Sequence, residues 1–201
     1  MARYTGPKHK LSRREGYNLF GSTSRTLERR LGVPPGARPQ RRRRKESEYG
    51  MQLREKQKVK RIYGMLERQF RRFFGMASKQ KGATGEVLLQ LLERRLDSVV
   101  YRLGFARTRP MARQLVNHGH IIVNDKKTDI PSFLVKSGDT VRLTTKAAEI
   151  VGVQEATAER AGSIPQWLVR DGDVGRVLRL PERAEVEPGI AEQLIVEFYS
   201  R

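Results

Sequence analysis

The residues able to do chemistry gather in one run, RLDSVVYRLGFARTRPMARQLVNHGHIIVND, from Arg95 to Asp125. Its polar set is Arg107, Thr108, Arg109, Arg113, Gln114, His118, His120 and Asn124, followed by Lys126. These are cations and hydrogen-bonding groups suited to phosphate and sugar contacts, not a nucleophile with its base. The three histidines are His9, His118 and His120; the pair two apart has no carboxylate or cysteine beside it to complete four ligands, so no metal is expected. There is no P-loop and no GxGxxG between a strand and a helix. Gly82-Ala83-Thr84-Gly85 is too short to cradle a nucleotide and reads as a helix start, so no cofactor is expected.

The elements that position this set follow from periodicity. Val87, Leu88, Leu91, Leu92, Leu96, Val99, Val100 and Leu103 lie on one face of a helix over 86–103, with Thr84 as N-cap and Gly104 as stop. A second helix spans Arg109 to His118, with Thr108 as N-cap, Pro110 in the first turn and Gly119 as stop. Its N-terminus, flanked by Arg107, Arg109 and Arg113, is predicted to meet phosphate. A strand over 120–123 runs into a tight Asn124-Asp125 turn, and a short return begins at Ile130. Lys136 to Asp139 form another turn and 141–144 another strand. Residues 147–161 read as helical, and 163–185 as irregular or short-stranded around Trp167.

The chain has 201 residues, 41 Lys plus Arg against 22 Asp plus Glu, and a formal charge of +19. Residues 1–93 hold 24 basic and 8 acidic side chains, 94–150 hold 11 and 5, and 151–201 hold 6 and 9. So strong a basic excess calls for a polyanion, and nucleic acid is the expected partner. No apolar run approaches the roughly 20 residues that span a bilayer, so no membrane partner is expected. No apolar segment of signal-peptide type follows MARYTGPKHK, and there are no cysteines; both fit a cytoplasmic location.

The basic excess is greatest toward the N-terminus. Residues 1–20 have no sustained period, and read as an arm that orders on nucleic acid through Tyr4, Lys8, Lys10, Arg13 and Arg14. A short helix is predicted over 22–31. Residues 32–45 are loop, ending in the single-sign run Arg41, Arg42, Arg43, Arg44 and Lys45, which is predicted to contact RNA. Residues 47–80 read as helical, with Val59, Ile62, Tyr63, Leu66, Phe70, Phe73, Phe74 and Ala77 as a core stripe and a break near Gly75. Arg54, Lys56, Lys58, Lys60, Arg61, Arg68, Arg71 and Arg72 are predicted to track a phosphate backbone. An amphipathic helix over 189–200 is predicted to pack back on this basic half.

The predicted class is α+β: a mostly helical, discontinuous first domain plus an inserted small α/β RNA-binding module, two helices packed on a short-stranded sheet. The predicted bounds are 1–45 for the basic arm and loop, 46–93 with 163–201 for the helical domain, and 94–162 for the module.

Arg95-Leu96-Asp97 resembles the triplet of one class of pseudouridine synthases, in which the aspartate is the nucleophile; here it lies inside an amphipathic helix with no separate catalytic domain after it. Asp97 therefore reads as a helix-surface carboxylate paired with a neighbouring arginine. Arg95–Asp125 with Ile130-Pro131-Ser132 resembles the RNA-binding module first described in small-subunit ribosomal protein S4. The start ARYTGPKHKLSRREG, the stretch YGMQLREKQKVKRIYGMLERQFRRFF and the ending LIVEFYSR are similar to the same family, so the resemblance covers essentially the whole chain. It implies a structural, non-catalytic constituent of the small ribosomal subunit that binds the 5′ domain of 16S rRNA at a multi-helix junction and nucleates assembly. It also implies a neighbour in ribosomal protein S5, a contribution to decoding accuracy, and a position near the entrance of the mRNA channel, with Arg41–Arg44 along incoming mRNA. Some members hold zinc through N-terminal cysteines; this chain has none, so zinc is not expected. Asp125 stands where many relatives have glycine, a turn position that aspartate tolerates. The alternatives are an RNA-modifying enzyme or a free regulatory RNA-binding protein carrying the same module.

Overall fold

The computed structural model describes residues 4–36 and 47–200. Its helices are α1 (Lys8–Glu15), α2 (Arg25–Arg30), α3 (Glu48–Ile62), α4 (Glu67–Ala77), α5 (Thr84–Glu93), α6 (Leu96–Arg102), α7 (Arg109–Asn117), α8 (Thr145–Ala148), α9 (Val151–Glu159) and α10 (Glu192–Ser200). The strands are β1 (Ile121–Val123), β2 (Lys126–Lys127), β3 (Thr140–Leu143), β4 (Leu168–Asp171) and β5 (Val174–Val177). The fold is α+β. It divides into one compact unit of Met1–Gly85 with Gly189–Arg201 and a second of Glu86–Pro188.

In the first unit, Ser47 caps α3 by accepting a hydrogen bond from the Gly50 amide at 3.2 Å. Gln52, Lys56, Val59 and Ile62 fall three and four apart and form its buried face. The predicted break near Gly75 falls instead at Gly64. Gly64 takes φ +60, and the Met65 amide folds back to the Lys60 carbonyl at 2.9 Å, so the chain leaves α3 through a left-handed residue where glycine has no Cβ to strain. Gly75 stays inside α4, whose Phe70, Phe73 and Ala77 are buried. Leu66, predicted on the core stripe, is 40% exposed because it sits in extended backbone ahead of α4. Helix α10 runs along α3, with Phe198 beside Tyr49 at 5.6 Å between ring centroids and Tyr199 beside Phe74 at 4.5 Å. The N-terminal segment is not a bare arm. It forms α1 against α3, with Ser12 buried and the Glu15 carboxylate 1% exposed between Arg54 and Arg61.

In the second unit, α6 and α7 pack on one face of a five-stranded antiparallel sheet ordered β2-β1-β3-β5-β4. The helix predicted over 86–103 is interrupted. Arg95 is extended at ψ 139 and forms an antiparallel bridge with Leu134. The Leu96 amide donates to the Phe133 carbonyl at 2.8 Å, and the Val135 amide to that of Arg94 at 3.0 Å. Helix α7 begins and ends where its cap residues predict, with Thr108 Oγ1 accepting from the Met111 amide at 3.3 Å.

Asn124 and Asp125 take φ +47 and +64, closing a two-residue hairpin whose return is β2 itself. The return predicted at Ile130 therefore comes earlier, and Ile130 is left exposed. Residues 168–177, assigned above to the helical domain, extend this sheet: β5 pairs with β3 in the register Arg142↔Val174, and Trp167 and Val177 join its core. Burial alternates strictly along β3 and β5, so Val141, Leu143, Gly175 and Val177 face the helices while Arg142, Val174 and Arg176 face solvent.

Gly175 is where α6 reaches the sheet, since a Cβ there would collide with both methyls of Leu103. Gly175→Ala is expected to cost about 1–3 kcal/mol by overpacking, read as a lowered urea midpoint; an unchanged midpoint would contradict this seating of Leu103.

Candidate nucleic-acid interface

The predicted contact residues divide by what neutralises them. On α1, Lys8, Lys10 and Arg14 are exposed, as is Tyr4 ahead of it. Arg13 instead donates to the carbonyls of Val33 and Pro34, each at 3.0 Å. On α3, Arg54 and Arg61 share the Glu15 carboxylate. Burial pushes the Glu15 carboxyl above its usual range in spite of the two arginines. Lys58 bonds Glu55 at 3.2 Å and the Gly189 carbonyl.

Lys56 is buried against the Phe198 ring, 4.1 Å from its centroid, and with Lys60 it grips Glu67, each at 2.8 Å. The predicted cation row of α3 is thus largely paired within the unit. Burial raises the Glu67 carboxyl, but hydrogen bonds from Lys56, Lys60 and Tyr199 outweigh it and bring it down to about 2. A carboxyl depressed in the folded state stabilises above its unfolded value near 4.5 and loses that contribution as pH falls toward 2. Glu67→Gln is therefore expected to lower thermal stability at pH 6–7, with the two melting curves converging near pH 2. A gap that persists at pH 2 would contradict this linkage.

Helix α4 differs. Arg68, Arg71 and Arg72 are exposed, and Arg68 and Arg72 make no ion pair among the described residues. Outside the predicted set, Arg25, Arg29 and Arg30 on α2 and Lys79 and Lys81 after α4 are exposed cations as well. Their signal was present in RTLERR, where Leu27 is the buried anchor and the arginines point away from it. Arg41, Arg42, Arg43 and Arg44 lie outside the described residues.

In the second unit the arginines around the start of α7 are engaged. Arg109 sits between Glu93 and Glu187, 3.2 Å from each, and over the Tyr101 ring at 4.6 Å. Arg102 bridges the same two carboxylates at 2.8 and 3.2 Å. Arg107 forms a forked, half-exposed pair with Glu159 at 3.0 and 2.6 Å. Arg113 approaches Asp97 at 3.7 Å. Asn124 ties the hairpin by donating to Asp139 at 2.8 Å and accepting from the Thr140 amide at 2.9 Å. Gln114, His118 and Lys126 are exposed and His120 is half-buried, while Thr108 serves as the helix cap.

Asp97 is not the helix-surface carboxylate predicted. It is 5% exposed and takes a two-pronged pair from Arg95 at 3.0 and 2.6 Å. The apolar helix pattern hides this, because the break at Arg95 turns the guanidinium inward. No group of three or more His, Cys, Asp or Glu suited to a metal occurs among the described residues. No helix among them is long and apolar enough to cross a membrane.

A helical unit and a small helix-on-sheet unit, both bearing exposed cations, are the features of a polyanion-binding protein. Residues 3–93 match the ribosomal protein S4/S9 N-terminal domain, and residues 94–141 match the S4 domain. Over the full length of both chains, this one is 54% identical to small ribosomal subunit protein uS4 of Herpetosiphon aurantiacus and 54% identical to that of Dictyoglomus turgidum. It is 51% identical, again over both full lengths, to small ribosomal subunit protein uS4A of Symbiobacterium thermophilum. The chain belongs to the uS4 family of ribosomal proteins, and it is not an enzyme.

Proposed function

We propose that this chain is a structural constituent of the small ribosomal subunit, working in the cytoplasm as a primary 16S rRNA-binding protein. The observation that carries the reading is the set of exposed cations without internal counter-ions, Lys10, Arg68 and Arg72 among them. Such groups repel one another until phosphates neutralise them. The paired residues hold the units in shape, and the unpaired ones meet RNA. A-form helices hide their major groove from side chains, so recognition rests on phosphates, 2′-hydroxyls and junction shape.

Family membership supports the finer statements. The RNA target is a multi-helix junction of the 5′ domain, whose assembly the protein nucleates. Its neighbours include ribosomal protein S5, it contributes to translational accuracy near the entrance of the mRNA channel, and Arg41–Arg44 meet the message. The test is to bind the purified chain to immobilised, protein-free 16S rRNA, wash at high salt and probe the rRNA by hydroxyl-radical footprinting. Retention with protection inside the 5′ domain is expected. Release into the supernatant, or protection confined to another domain, would refute the reading.

A further inference from the structure

The solvent face of the sheet in the second unit belongs to none of the surfaces above. Its residues follow from register. Ile122 of β1 lies between Lys127 of β2 and Arg142 of β3; Arg142 is opposite Val174 of β5, and Arg176 of β5 is opposite Val169 of β4. Arg142 and Arg176 are thus diagonal neighbours on adjacent strands, on the side away from α6 and α7. All of these side chains are exposed except Ile122, which is half-buried. The end of the Lys127 side chain lies over Gly119, which has no Cβ to displace it. Lys127 and Arg176 have no ion-pair partner among the described residues. Arg142 pairs with Asp125 at 3.1 Å, but the two side chains are 45% and 89% exposed, a pair weak enough to exchange for phosphate.

We infer that this sheet face is a further RNA-binding surface, on which Lys127, Arg142 and Arg176 bind consecutive phosphates while Val169 and Val174 pack against sugar edges. The choice of partner rests on charge. Three cations face the two carboxylates of Asp125 and Asp171, and the apolar contribution is isolated β-branched side chains with no aromatic anchor of the kind that dominates protein interfaces. Arg109 and Arg113 at the α7 end are largely buried beside carboxylates within the unit, whereas this face has exposed cations to offer. The inference rests on the rRNA-binding reading above.

The test compares the unsubstituted chain with the triple variant Lys127→Gln, Arg142→Gln, Arg176→Gln, titrated with a 16S 5′-domain transcript at several salt concentrations. Each phosphate contact adds about 0.7–0.9 to the slope of log affinity against log salt, so the triple variant should lose roughly 2–3 from that slope. The charge-preserving variant Lys127→Arg, Arg142→Lys, Arg176→Lys should keep it. Fluorescence of the buried Trp167 reports that each variant is folded. Superimposable slopes for the unsubstituted and triple-Gln chains would overturn the inference. So would an unchanged slope with lost retention on the small subunit, which would assign the face to a protein. If the unsubstituted chain does not bind the transcript at all, the ribosomal reading falls and this inference with it.

Discussion

Asp97→Ala is expected to lower the unfolding free energy by about 3–5 kcal/mol, the usual cost of removing one partner of a buried ion pair. The carboxylate receives both prongs of the Arg95 guanidinium, and the two side chains are 6% and 2% exposed. Removing it leaves a buried cation without its principal counter-ion, in the extended residue that separates α5 from α6 and bridges to Leu134. The converse follows from the same physics. Replacing both partners by apolar residues, Arg95→Met with Asp97→Leu, should recover much of the loss, because no desolvated charge remains. Urea unfolding followed by Trp167 fluorescence measures both; a loss under 1 kcal/mol for Asp97→Ala would contradict the account. The resemblance to a catalytic triplet is thereby explained structurally, since Arg95 and Asp97 serve each other across the helix break.

The second large effect is on binding. Raising salt from 50 to 200 mM is expected to weaken the complex with 16S rRNA by roughly 10³-fold or more, the range for a protein neutralising six to ten phosphates. Exposure and internal pairing predict which residues carry that slope. Arg72→Gln, at an exposed cation without a partner, should reduce the slope by about one. Lys56→Gln should leave the slope unchanged and cost stability, because Lys56 is buried beneath Phe198 and bound to Glu67. A salt-independent affinity, or equal slopes for Arg72→Gln and the parent, would overturn the electrostatic account.

What the sequence reveals is what is encoded locally. The ends of α7 were legible because Thr108, Pro110 and Gly119 act within a turn of where they stand. The hairpin at Asn124-Asp125 was legible because two adjacent residues must take positive φ. The helix break at Arg95 was hidden. Apolar spacing continues unbroken from Val87 to Leu103, and the partner that opens the backbone, Leu134, lies far along the chain. For the same reason no local pattern shows which cations are already neutralised. Arg109 meets Glu93 and Glu187, 16 and 78 residues away. Residues 163–185 read as irregular or short-stranded because β4 and β5 are four residues long each, and their place in the sheet comes from the pairing of β5 with β3 and of β4 with β5.

Helix α10 closes the first unit by lying along α3, with Gln52 and Glu197 bonded at 2.9 Å across 145 residues of chain. A ribosome makes proteins from one end, and this arrangement imposes an order of events on the nascent chain. The second unit is one continuous stretch and needs nothing beyond residue 188, whereas the first keeps its aromatic seam open until residues 189–200 are available. Released chains that end at residue 188 should therefore yield a protease-resistant fragment near 86–188 and lose 1–85 to digestion. Equal protection of both would show that α3 and α4 hold together without their late-arriving helix.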